Sequence, residues 1–127
     1  MTEYMVVIVG DADRWWSTMS MQERKDGYAE YTRFSEELTR RGHRITGGAE
    51  LHATTEARTV RPGGRSVTDG PFAESAEHVG GFYMVETEDP DDLAECCKII
   101  AALGDGVEIR RTVRPEERSA PTQGQAP

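Results

Sequence analysis

Residues 81–113 read GFYMVETEDPDDLAECCKIIAALGDGVEIRRTV, and the order of patterns within this stretch decides the fold. Gly81 to Thr87 is an apolar, aromatic run of strand length. Asp89 follows as a helix N-cap, and Pro90 stands at the first helical position, where its missing N–H is no loss. Asp91 and Asp92 face the positive end of the helix dipole. The helix so opened ends before Gly104 and carries Leu93, Cys96, Cys97, Ile100 and Leu103 as its apolar stripe. Val107, Ile109 and Val113 then alternate along a last strand, with Glu108 and Arg110 on the opposite face. Strand, helix, strand is half of a split βαβ unit.

Working outward, Glu3 to Val9 is a β-branched strand that stops at Gly10-Asp11. The polar stretch holding Trp15 and Trp16 reads as a connection, with the tryptophans as packing or the edge of a lid. Ser20-Met21-Gln22-Glu23 has the form of a capping box, so a helix follows, with Tyr28, Tyr31, Phe34 and Leu38 on one face. Arg40-Arg41-Gly42 closes it, while Gly27 is expected to weaken or break its first turns. Between His43 and Thr68, Gly47-Gly48 predicts a bulge and Pro62-Gly63-Gly64 a hairpin turn. The segment from Pro115 to Pro127 has almost nothing to bury and is expected to be a disordered tail after a domain of residues 1–114. The predicted class is α+β: a ferredoxin-like sandwich, with an antiparallel sheet and two main helices on one face. Two helices cannot cover both faces, so the other face must meet a partner or line a pocket. A homodimer is the expectation.

The chain has 127 residues, enough for one domain to bury a core without covalent staples. Its two cysteines, Cys96 and Cys97, are adjacent, which suits neither a disulfide framework nor a zinc site. No signal-peptide pattern and no membrane-length apolar run is present, so a cytoplasmic protein is expected. The net charge is −8, and Asp69, Glu74, Glu77, Glu86, Glu88, Asp89, Asp91, Asp92 and Glu95 fall in a block that contains no Lys or Arg. Such a block repels nucleic acid and anionic membrane. Walker loops, dinucleotide fingerprints, metal-ligand clusters and nucleophile elbows are missing, so neither cofactor nor metal is predicted.

Two positions stand out chemically. Thr68-Asp69-Gly70-Pro71-Phe72 reads as a structural corner, with Asp69 capping the turn, Gly70 held extended before the proline and Phe72 as a plug. It also reads as a cleft mouth, where Asp69 is a general base or ligand anchor. Arg110 points away from Ile109, either to pair with an acidic residue across an interface or to anchor a substrate carboxylate.

Thr68-Asp69-Gly70-Pro71-Phe72-Ala73-Glu74, with Glu77, Gly80-Gly81-Phe82-Tyr83 and Glu86, resembles the signature of the DGPF (YCII-related) family. Matching features extend from Tyr4-Met5 through Thr59-Val60-Arg61 to Val107-Glu108-Ile109-Arg110, so the resemblance spans residues 1–114. It implies a dimeric α/β barrel with clefts near the interface, isomerase-like or dehalogenating relatives, and a regulatory link to extracytoplasmic-function sigma factors. The departures are specific. Glu74-Ser75-Ala76-Glu77 lacks the family's lysine, and the first helix has Tyr28 and Tyr31 but no histidine, so a catalytic His-Asp dyad does not carry over. His52 and His78 stand where relatives have glutamine and read as loop or surface residues. The expectation is a dimeric small-molecule-binding or regulatory module, with Arg110, Tyr83, Phe72 and His52 as ligand contacts. The alternative is a cofactor-independent isomerase or lyase acting on a small anionic or carbonyl compound, with Asp69 as acid or base.

Overall fold

In the computed structural model, residues 1–73 and 77–119 are described. Strand β1 (Thr2–Gly10) is followed by a short helix α1 (Ala12–Ser17), the long helix α2 (Met21–Arg40) and strand β2 (Arg44–Glu50). Next come a two-stranded ribbon, β3 (Arg58–Val60) and β4 (Val67–Asp69), then strand β5 (His78–Thr87), helix α3 (Pro90–Ala101) and strand β6 (Gly106–Arg111). The main sheet is antiparallel in the order β2-β5-β1-β6, which fits a ferredoxin-like α+β fold. No described helix is long and apolar enough to cross a membrane.

Register decides which side chains reach the core. Val6 and Ile8 of β1 and Val85 of β5 point to the helices and are buried. They meet Phe34 and Leu38 of α2 and Leu93, Cys96, Cys97 and Ile100 of α3. Each such side chain stabilises the fold by about 1.5–3 kcal/mol relative to leaving it exposed. Met5, Val7, Phe82 and Met84 have the opposite parity; Met5 lies across from Met84, and Val7 across from Phe82, on the face without helices.

Both predicted helix starts hold. Ser20 Oγ accepts from the Glu23 amide while Glu23 accepts from the Ser20 amide, and the Asp89 carboxylate accepts from the Asp92 amide at 3.0 Å. A bulge does occur in β2, but one residue before the predicted Gly47-Gly48: the register shifts between Ile45 and Gly47, so Thr46 is the extra residue, while Pro62-Gly63-Gly64 forms the turn between β3 and β4.

Several expectations are corrected. The tryptophan stretch is helical, because the Asp11 carboxylate caps the Arg14 amide at 3.1 Å. Gly27 leaves α2 unbroken and buried, since a Cβ there would sit 2.6 Å from the Trp15 ring; glycine is what lets the indole lie on the helix. Leu103 lies beyond α3 and is partly exposed. The predicted hairpin at Pro62-Gly63-Gly64 is a separate ribbon, in which β3 and β4 pair with each other. Pro115–Ser119 form a 3-10 turn, held where the Glu117 carboxylate takes both Arg111 and Arg114. Residues 120–127 of the expected tail lie outside the described residues.

Candidate functional site: an aromatic cleft

α1 and the first half of α2 stand over the ends of β1, β2 and β5 and leave a cleft of about 340 Å³, near the lower end of the range for ligand pockets. Rings line it. Trp15 packs edge-on to Tyr28 at 5.1 Å and to Tyr31 at 6.5 Å, and Tyr83 reaches in from β5. Trp16 stands at its side, with the His52 ring stacked on it at 4.4 Å and its indole N–H donating to the Leu51 carbonyl. Burial holds the Tyr31 and Tyr83 phenols above their ordinary range, so both remain neutral donors.

Three carboxylates complete the lining: Asp11, Glu50 and Asp105. Glu50 accepts from the Tyr28 hydroxyl at 2.9 Å. Asp105 lies against the end of β1, where a Cβ on Gly10 would come within 2.0 Å of its Oδ1, so glycine at position 10 makes room for the acid. Burial raises the Asp105 carboxyl above its ordinary value; nearby Arg14 opposes that shift and Asp11 adds to it.

The residues singled out in the sequence do not converge. Tyr83 lines the cleft and His52 backs Trp16. Asp69 sits on the ribbon opposite Arg58, outside the cleft lining, and no hydrogen bond among the described residues reaches its carboxylate. Among the described residues it caps no turn. Gly70 is not extended but has φ +95°, with its amide bonded to the Ala57 carbonyl and its own carbonyl to the Thr59 hydroxyl. Phe72 is not a plug: it is 66% exposed beneath the Arg61 guanidinium. Arg110 lies on the face without helices, exposed and paired with Glu108 of its own strand.

The structure does hold a histidine–carboxylate pair, but at the other end of the sheet. His43 is buried between the Thr87 hydroxyl (2.6 Å) and the Asp92 carboxylate (2.7 Å). Cys96 joins His43 and Asp92 in a cluster whose possible ligand atoms lie within 4.8 Å of one another. Arg41 already donates to Asp92 at 2.8 Å and reaches the Cys96 sulfur at 3.7 Å, and burial raises the thiol's pKa. A guanidinium inside a set of neutral or already paired ligands makes this a structural ion pair, unsuited to a metal.

The cleft was missed in the sequence because Trp15 and Trp16 lie in a helix too short to show a period. Its one local signal is that the stripe of α2 changes from polar-tipped rings, Tyr28 and Tyr31, to Phe34 and Leu38.

A profile of the YCII-related domain matches residues 2–117. No curated protein matches the chain. Among solved structures, the chain is similar to a hydantoinase/carbamoylase family amidase from Burkholderia ambifaria, with 19% identity and a TM-score of 0.37 over 88% of this chain and 27% of that one. The chain thus spans about a quarter of that protein's length, and a likeness this loose carries no argument about activity.

Proposed function

The chain belongs to the YCII-related domain family, and from that premise we propose that it is a homodimeric small-molecule-binding module whose ligand sits in the cleft of Trp15, Tyr28, Tyr31 and Tyr83. The observation that carries this reading is the cleft itself: a ring-lined, partly open cavity with a few converging polar groups. The pair best placed for proton transfer by geometry, His43 and Asp92, is buried elsewhere, which favours binding over catalysis.

Both tryptophans of the chain line the cleft, so intrinsic fluorescence reports on it directly. A screen of small organic compounds should yield ligands that shift tryptophan emission and lose affinity in Gly27→Ala, where Trp15 is displaced. Ligands that bind wild type and variant equally, with unchanged emission, would place the site elsewhere.

Dimerisation is proposed through the sheet face of Met5, Val7, Phe82 and Met84, apolar residues on the side opposite the described helices α2 and α3. Sedimentation should give a dimer, and Met84→Glu a folded monomer; a wild-type monomer at micromolar concentration would refute it. The family resemblance adds an extracytoplasmic-function sigma factor as a regulatory partner, which co-purification with and without ligand checks.

A second reading, cofactor-independent acid–base chemistry, is favoured by one observation: Asp105 lines the cleft and its carboxyl is raised by burial. Asp69, the sequence's candidate for this role, lies outside the lining. Asp105→Asn that binds a compound from the screen but no longer turns it over would support catalysis.

A further inference from the structure

We infer that the cleft selects an organic cation: a primary or methylated ammonium carried on a flat apolar body. The inference rests on reading the cleft as the ligand site and specifies what that site takes.

Its described lining holds Asp11, Glu50 and Asp105 and no Lys, Arg or His. The residues outside the description, 74–76 and 120–127, contain no basic side chain in the sequence either. The nearest guanidinium groups are engaged elsewhere or lie to one side. Arg24 is turned to the backbone carbonyls of Trp15 and Met19, at 3.4 and 2.9 Å. Arg14 lies in a neighbouring groove that shares Asp11, Trp15, Tyr31 and Asp105 with the cleft. Three acids facing a cavity walled by low-dielectric rings give it a negative potential that Arg14, to one side, offsets only in part.

The rings act in the same sense. The faces of Trp and Tyr carry negative quadrupole density and attract an ammonium placed over them. Glu50 is oriented by the Tyr28 hydroxyl through one oxygen, which leaves the other for a ligand N–H. Asp105 is part-buried in the lining beside Asp11, with burial outweighing the pull of Arg14, and a bound ammonium adds positive charge there. An anion would meet these acids unneutralised. Arg110, the sequence's candidate anchor for an anionic compound, is on the other face of the sheet and takes no part in this cleft.

The test uses three probes of one shape: 2-phenylethylammonium, 2-phenylethanol and phenylacetate, titrated into the full chain by calorimetry and tryptophan emission. The ammonium should bind at least about tenfold more tightly than the alcohol, and phenylacetate more weakly than either. Glu50→Gln keeps an acceptor for Tyr28 and Asp105→Asn keeps the side-chain shape, so both should fold. Each should weaken the ammonium by about tenfold and leave the alcohol unchanged, as expected when a charge-assisted hydrogen bond becomes a neutral one. Equal binding of ammonium and alcohol, or a preference for phenylacetate, with tryptophan emission responding, would overturn the inference and leave the cleft as a binding site. No binding by any probe at millimolar concentration would overturn both.

Discussion

The two halves of α2 lie over the same sheet and meet different surroundings. Phe34 and Leu38 in its second half are sealed completely, under Leu93, Cys96, Cys97 and Ile100 of α3. Tyr28 in its first half is 42% exposed, and it and Tyr31 pack edge-on against Trp15 in the wall of an open cleft. Helix length accounts for the difference. With 20 residues against 12, α2 is about 30 Å long and α3 about 18 Å, so α3 can seal only part of its neighbour. The six-residue α1 covers the remainder with two indoles in place of an aliphatic layer. One continuous helix thus serves as core at one end and as cleft wall at the other.

Substitutions should separate the two ends. Phe34→Ala empties the sealed half and should cost about 3–5 kcal/mol in urea denaturation, the largest effect expected. His43→Ala leaves the Thr87 hydroxyl and the Asp92 carboxylate without their buried partner and should cost about 1–3 kcal/mol, with tryptophan emission unchanged. Gly27→Ala should change stability by less than about 1 kcal/mol, because the gain in helix propensity offsets the displaced indole. Its effect belongs to the cleft: a red-shifted emission and lost ligand binding.

pH should act with opposite sign at two acids. The Asp105 carboxyl is raised above its ordinary 3.8, so its ionisation penalises the folded state, and the penalty fades as pH falls through the folded value and is gone below 3.8. Asp105→Asn should therefore melt higher than wild type at neutral pH, with the gain vanishing in acid. Arg111 and Arg114 hold the Glu117 carboxyl down at about 2, against an ordinary 4.5. Its contribution is complete above pH 4.5 and is lost as pH falls toward 2, so Glu117→Gln should melt lower than wild type at neutral pH and converge with it in acid. The smallest effect is expected at Asp69, whose carboxylate has no hydrogen bond to lose among the described residues: Asp69→Asn should stay within about 0.5 kcal/mol of wild type and bind the same ligands.

What was legible in the sequence was what neighbours in sequence settle. Ser20 with Glu23, and Asp89 with Pro90, mark helix starts through contacts three residues apart. Alternation along residues 107–110 separates the two faces of the last strand. The cleft depends instead on contacts between distant residues: Gly27 with Trp15, Gly10 with Asp105, Tyr28 with Glu50. Residue type alone reads Gly27 as a helix breaker, and only the indole placed on it explains the glycine. The Asp69 loop drew notice because its motif is distinctive, yet among the described residues the turn is held by the Gly70 amide on the Ala57 carbonyl and the Thr59 hydroxyl on the Gly70 carbonyl, not by the acid. His43 and Asp92, 49 positions apart, had no local pattern to join them.

Hydrogen exchange along α2 tests the division of that helix most directly, with and without 2-phenylethylammonium. Amides from Phe34 to Leu38 should exchange only through global unfolding and be insensitive to the probe, apart from the general stabilisation that binding confers. Amides around Gly27 to Tyr31 and in α1 should open locally at lower cost, and the probe should slow them selectively. Uniform protection along α2, or slowing centred on the Asp69 ribbon, would contradict the account.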